Sequence, residues 1–152
     1  MHRVFERQRE MKMRIGSTFA FCLAAGLVLA AGPASAQQFY NNWNTAACGF
    51  TDHARFRLHE PTRLTSIELW YHWGPRESEV RYEIFADGEF VKRGHLMRAG
   101  CDPYQEAWCE ARANVGADLP RGDVEVRTER AKLCQNDGSD GNGFIHAFGM
   151  PN

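Results

Sequence analysis

Leu64–Val91, LTSIELWYHWGPRESEVRYEIFADGEFV, is the most strongly patterned stretch of the chain, and its reading decides the fold class. From Thr65 to Trp73, Ile67, Leu69, Tyr71 and Trp73 alternate with Ser66, Glu68, Trp70 and His72. From Glu79 to Ala86, Val80, Tyr82 and Ile84 alternate with Arg81, Glu83 and Phe85. Period-two alternation rich in aromatic and β-branched residues marks half-buried strands. The polar run Gly74–Ser78 between them is a turn, in which Pro75 cannot extend a ladder. Asp87-Gly88 is a stronger signal, because both residues tolerate the positive φ angles of a type I′ hairpin turn.

That turn predicts a register: Ala86 opposite Glu89, Phe85 opposite Phe90, Ile84 opposite Val91, and Glu83 opposite Lys92. Pairing Tyr71 with Tyr82 in the first hairpin sets Leu69 against Ile84 and keeps one apolar face together. The expected inner face is Ile67, Leu69, Tyr71, Val80, Tyr82, Ile84 and Val91. The expected outer face is Glu68, Trp70, His72, Arg81, Glu83 and Phe85.

Upstream, Arg3, Arg7, Arg9, Lys12 and Arg14 precede an apolar run, Ala20–Ala31, and the small-residue motif Ala34-Ser35-Ala36. This is the pattern of a secretory signal peptide over residues 1–36, with cleavage near Ala36. The run is shorter than the roughly 20 residues of a membrane span. Residues 37–152 are then a single domain, exported to the periplasm or secreted. They carry 13 basic and 17 acidic side chains, an acidic balance that disfavours nucleic acid as a partner.

Four cysteines remain in that domain: Cys48, Cys101, Cys109 and Cys134. In a small exported domain an even number points to disulfides, and neither a CxxC pair nor close histidines argues for zinc. Cys101 and Cys109 flank a short loop and are expected to pair locally, leaving Cys48 with Cys134. The longer closure is worth about 4–5 kcal/mol in the chain-entropy model and the shorter under about 3.

Further strands are expected at Ala54–His59, Gly94–Met97 after a bulge at Gly94, Asp123–Thr128 and Gly143–Gly149. Gln37–Thr45 reads as a frayed arm or an added edge strand, and Gln105–Val115 as a short helix. Strands every 8–12 residues predict an all-β, antiparallel β-sandwich of about seven to eight strands. LPRGDVEV (Leu119–Val126), then Cys134, a glycine-rich polar loop and GFIHAFG (Gly143–Gly149) resemble the end of a galactose-binding-like jelly roll. Carbohydrate-binding modules use such sandwiches, so the resemblance implies a jelly-roll-like fold and a carbohydrate ligand, and it transfers no binding residue.

Trp70, His72 and Phe85 are the first candidate site: exposed aromatics stack on sugar rings or anchor a protein partner. Their competing reading is a face covered by a second sheet, the aromatic arm or the Cys101 loop. Arg57 and His59, with Arg55 and Arg81, form a second candidate, a patch for carboxylate or sulfate, set against an ordinary solvated strand face. Glu68 and Glu83 suggest a glycosidase-like pair only if nearby cations do not claim them. Asp137, Ser139, Asp140 and Asn142 are oxygen donors that would suit calcium, but the Asn136–Gly143 loop has turn composition and no EF-hand spacing, so no cofactor is expected. No nucleophile elbow, phosphate loop or HExxH motif is present. The expected function is a secreted, non-enzymatic binding module for a glycan or envelope component. The alternatives are a small secreted hydrolase acting on polysaccharide or cell wall, and a secreted inhibitor or structural protein.

Overall fold

A computed structural model describes residues 35–152 of the chain, so the expected signal peptide lies outside the described residues except for Ser35 and Ala36. Within the described residues, ten strands form one antiparallel sheet. In chain order they are β1 Gln37–Asn41, β2 Gly49–Thr51, β3 His53–Leu58, β4 Thr62–His72, β5 Glu79–Ala86, β6 Glu89–Asp102, β7 Gln105–Leu119, β8 Gly122–Thr128, β9 Leu133–Gln135 and β10 Ile145–Pro151. The spatial order is β1-β10-β4-β7-β6-β5-β8-β3, with β9 pairing to β2 and to β4. The sheet curls until its two edges nearly meet, giving a nearly closed barrel. At the seam, β1 and β3 meet through side chains: Tyr40 stacks on Phe56 at 5.3 Å and Phe39 lies 5.8 Å from the same ring.

The all-β, antiparallel expectation holds, with ten strands where seven to eight were counted. The additional elements include β2 and β9, three residues each, too short to show a period. The expected inner face is the core: Ile67, Leu69, Tyr71, Val80, Tyr82 and Ile84 are buried, joined by Trp73, and Val91 packs against them half-buried. Burying such side chains, at about 1.5–3 kcal/mol each, is what holds the barrel together.

The first predicted hairpin is not formed. β4 pairs with β10 and β7, while β5 pairs with β6 and β8, so Tyr71 and Tyr82 are not cross-strand partners. Alternation states which way a residue faces but not which strand lies beside it. The Asp87-Gly88 turn does form, with φ of 47° and 84°. It sets Ala86 opposite Glu89 and Phe85 opposite Phe90, as expected. The register then shifts at Val91, so Ile84 faces Lys92 and Glu83 faces Arg93. Lys92 donates instead to the Val115 carbonyl. No bulge falls at Gly94, which pairs with Tyr82; a Cβ there would sit 2.8–2.9 Å from the Tyr82 ring and hydroxyl.

The expected helix at Gln105–Val115 is a strand, β7. Its alanines sit at period two with Cys109, Val115 and Leu119, and Cys109, Ala111, Ala113, Val115, Ala117 and Leu119 are all buried. Small residues on this inner stripe leave room for bulky neighbours. Trp73 packs edge-on to Tyr71 at 4.9 Å, and its indole N–H donates to the Cys109 carbonyl at 3.3 Å. Tertiary packing has overridden helix propensity.

Both predicted disulfides are present, Cys48–Cys134 and Cys101–Cys109. The β4–β5 turn is fastened from within by Glu77. Its carboxylate accepts from the Tyr71 hydroxyl at 3.2 Å, the Gly74 amide at 2.8 Å, Lys132 at 2.8 Å and Arg130 at 3.2 Å. Burial pushes the Glu77 carboxyl upward, but the hydrogen bonds from Lys132 and Gly74 and the Lys132 charge outweigh it, holding the group below its ordinary pKa. Burial and the neighbouring Glu77 carboxylate together push the Tyr71 phenol up.

Candidate functional site

The outer face of β4 and β7 carries Trp70, His72 and Trp108, because residues alternate inward and outward along each strand. His72 sits opposite Trp108 in the ladder, their rings 5.0 Å apart. Phe50, which follows Gly49 in β2, stacks on Trp108 at 5.5 Å and meets His72 edge-on at 5.6 Å. On the other side, Trp43 lies 5.4 Å from Trp70 and stacks on His146 of β10 at 4.0 Å. Trp70 is thus half-buried between two aromatic groups.

Two segments rise beside it. The first is the arm after β1, held by amides that fit the backbone. Asn42 donates to the Gly143 carbonyl at 3.1 Å and accepts from the Ile145 amide at 2.8 Å. Asn44 and Asn136 exchange side-chain hydrogen bonds at 3.0 and 2.7 Å, and the arm ends at Cys48, bonded to Cys134. The second is the β6–β7 hairpin end, where Cys101 bonds Cys109 across the ladder. Between them lies a cleft of about 650 Å³, within the roughly 300–1,000 Å³ of ligand sites. Trp43 and Asn44 line one wall, Asp102, Gln105 and Trp108 the other, with Trp70 between.

Of the predicted site residues, Trp70 and His72 share this face and Phe85 does not. β5 is separated from β4 by β6 and β7, and Phe85 packs instead against Phe90 at 6.0 Å under the Arg127 guanidinium at 4.5 Å. Facing outward on a curled sheet does not bring two residues together. Arg57 and His59 lie at the other end of the seam, lining a hollow of about 390 Å³ with Phe39 and Met150. Arg57 is paired with Asp123 at 2.9 Å and Arg55 with Glu125 at 3.0 Å, the ordinary ion pairs of a solvated face. Hydrogen bonds from Arg127 and Arg55 hold the Glu125 carboxyl below its usual range, against the opposing effect of burial.

Glu68 and Glu83 are likewise apart. Glu68 is bound by Arg112 at 3.0 Å and lies 3.4 Å from His146. In the Asn136–Gly143 loop, Ser139 and Asn142 are spent on the loop itself: the Ser139 hydroxyl accepts the Asn136 amide at 3.1 Å and donates to the Asn142 carbonyl at 2.7 Å, and Asn142 donates to the Ser139 carbonyl at 3.2 Å. Among the described residues, no three His, Cys, Asp or Glu side chains cluster as a metal site would need.

Trp43, Phe50, Trp108 and His146 were not picked out as site residues from sequence. Trp43 sat in a polar arm and Trp108 in a segment read as helix. The usable signal was that three of the four tryptophans, Trp43, Trp70 and Trp108, stand at positions outside the inner-face alternation. Comparison of the chain with protein-family models, with curated proteins and with solved structures found no match.

Proposed function

We propose that this chain is an exported, non-enzymatic binding domain that takes a glycan or another envelope component into the cleft over Trp70. The observation that carries this reading is the convergence of Trp43, Trp70 and Trp108 on one open cleft, with the polar ends of Asn44, Asp102 and Gln105 beside them. Aromatic faces accept the C–H face of a sugar ring while a few placed amides and carboxylates bond its hydroxyls. The sequence resemblance of Leu119–Gly149 to the end of a galactose-binding-like jelly roll points the same way. Two disulfides favour an oxidising compartment, in keeping with the signal-like start of the chain. No helix among the described residues is long and apolar enough to cross a membrane.

Asp102 is the one carboxylate lining the cleft, and it already accepts the Tyr104 amide at 2.7 Å. A polysaccharide hydrolase of the usual kind needs two carboxyl groups facing one bond, which favours binding over cleavage. A protein ligand, as for an inhibitor, is the second reading. It is favoured by Tyr104, 93% exposed at the hairpin tip, and by Phe50, 54% exposed.

Affinity electrophoresis against dextran, xylan and a mixed-linkage β-glucan tests the first reading, with Trp70→Ala and Trp108→Ala as variants. Loss of retardation with a near-native melt is the expected result. A Trp70→Ala variant that binds normally, or that loses the full 3–5 kcal/mol or so of a core aromatic, removes Trp70 from the site.

A further inference from the structure

Both walls of the cleft end at a disulfide, but the two bonds are differently placed. Cys134 is fully buried and Cys48 half-buried, whereas Cys101 is exposed and its partner Cys109 is fully buried. The Cys109 sulfur accepts from Arg98 Nε at 3.2 Å, and the same guanidinium donates to the Glu106 carbonyl at 2.8 Å. The ladder beneath is irregular: between Arg98 and Asp102 the β6–β7 register shifts twice. In this stretch the covalent bond supplies the fastening that regular pairing supplies elsewhere.

Thiol–disulfide exchange needs a sulfur open to attack and a leaving thiolate that is stabilised. Cys101 meets the first need, and a cation beside Cys109 meets the second, since neighbouring guanidinium favours thiolate. We propose that Cys101–Cys109 is a reducible bond through which external dithiols control the cleft, a reading that rests on the cleft being the binding site. One thiolate of the dithiol attacks Cys101 sulfur, forming a mixed disulfide and expelling Cys109 as a thiolate beside Arg98, which then takes a proton. The second thiol of the reductant, as thiolate, attacks its own sulfur in the mixed disulfide. This closes the reductant's disulfide and releases Cys101, which is protonated in turn. The protein gains two electrons and two protons, and the dithiol is oxidised. Residues 102–106, which carry Asp102 and Gln105, are then held by the irregular β6–β7 ladder and by Arg98, whereas Ala107 and Trp108 stay hydrogen-bonded beside Trp73 and His72. Cys48–Cys134 keeps the opposite wall in place.

The test uses the whole oxidised domain, exposed to graded dithiothreitol, trapped with iodoacetamide and mapped by mass spectrometry. Cys101 and Cys109 are expected to be alkylated about tenfold faster than Cys48 and Cys134. Opening of Cys48–Cys134 first, or of both together, overturns the proposal. Arg98→Leu should slow reduction roughly three- to tenfold, with Arg98→Lys restoring most of the rate; an unchanged rate in Arg98→Leu overturns the role of Arg98. Hydrogen exchange on the selectively reduced protein should rise at residues 102–106 and stay constant in β4 and β10. Unchanged exchange there refutes control of the cleft, with no ligand required. If the oxidised protein binds none of the polysaccharides above, the glycan reading fails by itself, and the alkylation and exchange results still decide the redox proposal.

Discussion

Replacing Glu77 by alanine removes the acceptor at the centre of the β4–β5 turn. The side chain is 12% exposed and binds four donors. Truncation leaves the Tyr71 hydroxyl inside the barrel, the Gly74 amide unpaired, and the Lys132 ammonium, 27% exposed, with no counter-charge. Arg130, 58% exposed, is re-solvated and adds little. Hydrogen bonds to a charged group contribute about 1.5–3 kcal/mol each, but loosening of the turn readmits water, so we expect a total of about 2–4 kcal/mol. For a domain of this size that lowers Tm by roughly 8–16 °C. The pH dependence carries a sign. Because the folded Glu77 pKa is depressed, its contribution is fully present above the unfolded value, about 4.3, and is lost as pH falls through the folded value. Differential scanning calorimetry of wild type and Glu77→Ala from pH 7 to pH 3 should therefore show the gap narrowing only below about pH 4.3. A gap under about 2 °C at pH 7, or one independent of pH, refutes the assignment of Glu77 as an ionised acceptor.

Three further outcomes are expected. Asp87-Gly88→Ala-Ala should cost about 2 kcal/mol or more in chemical denaturation, since alanine resists positive φ at both positions. An unchanged midpoint would count against the turn. Gly94→Ala drives a Cβ into the Tyr82 ring and should lower stability by about 1–3 kcal/mol, whereas Gly94→Ala with Tyr82→Leu should recover much of it; additive losses would argue that the clash is not the cause. Removing divalent metal with a chelator should leave Tm unchanged, because the Ser139 hydroxyl is taken up by the loop backbone and no three His, Cys, Asp or Glu side chains cluster there among the described residues. A calcium-dependent rise would mean that the Asp137 and Asp140 carboxylates hold an ion.

How much of this was legible in the sequence depends on the range of each signal. Ile67, Leu69, Tyr71, Val80, Tyr82 and Ile84 were assigned to the core from alternation, and all are buried. Asp87-Gly88 specified its own backbone angles because a two-residue turn is a local matter. The partner of β4 was not legible: an inward-facing Tyr71 is compatible with any neighbour that also presents an apolar face, and topology supplied β7 and β10 instead of β5. The alanines of β7 misled because alanine favours helix when considered alone; the bulky Trp73 and Tyr71, packed beside Cys109, account for the small residues there. The same limit applied to the site. Trp70 and His72 are two residues apart in one strand and could be placed together, whereas Trp43, Phe50 and Trp108 reach that face from three separate segments. Phe85 shared their outward orientation but not their part of the curved surface.

The position of β10 has a consequence for the order in which the domain is completed. It lies between β1 and β4, so among the described residues β10 is the only strand hydrogen-bonded to β1 and links it to the rest. A chain delivered from its N-terminus can pair β5 with β6 and β6 with β7 early, through connections of a few residues. β4 can join β7 once Leu119 has emerged, but its other edge then lacks most of its partner until Ile145–Pro151 arrives. Bare strand edges are sites of pairing between copies, and late long-range closure slows folding. The edge left open belongs to the strand that carries Trp70. The surface proposed as the working face is therefore among the last to take shape, and a chain released before Ile145 would expose that edge to a second copy of itself.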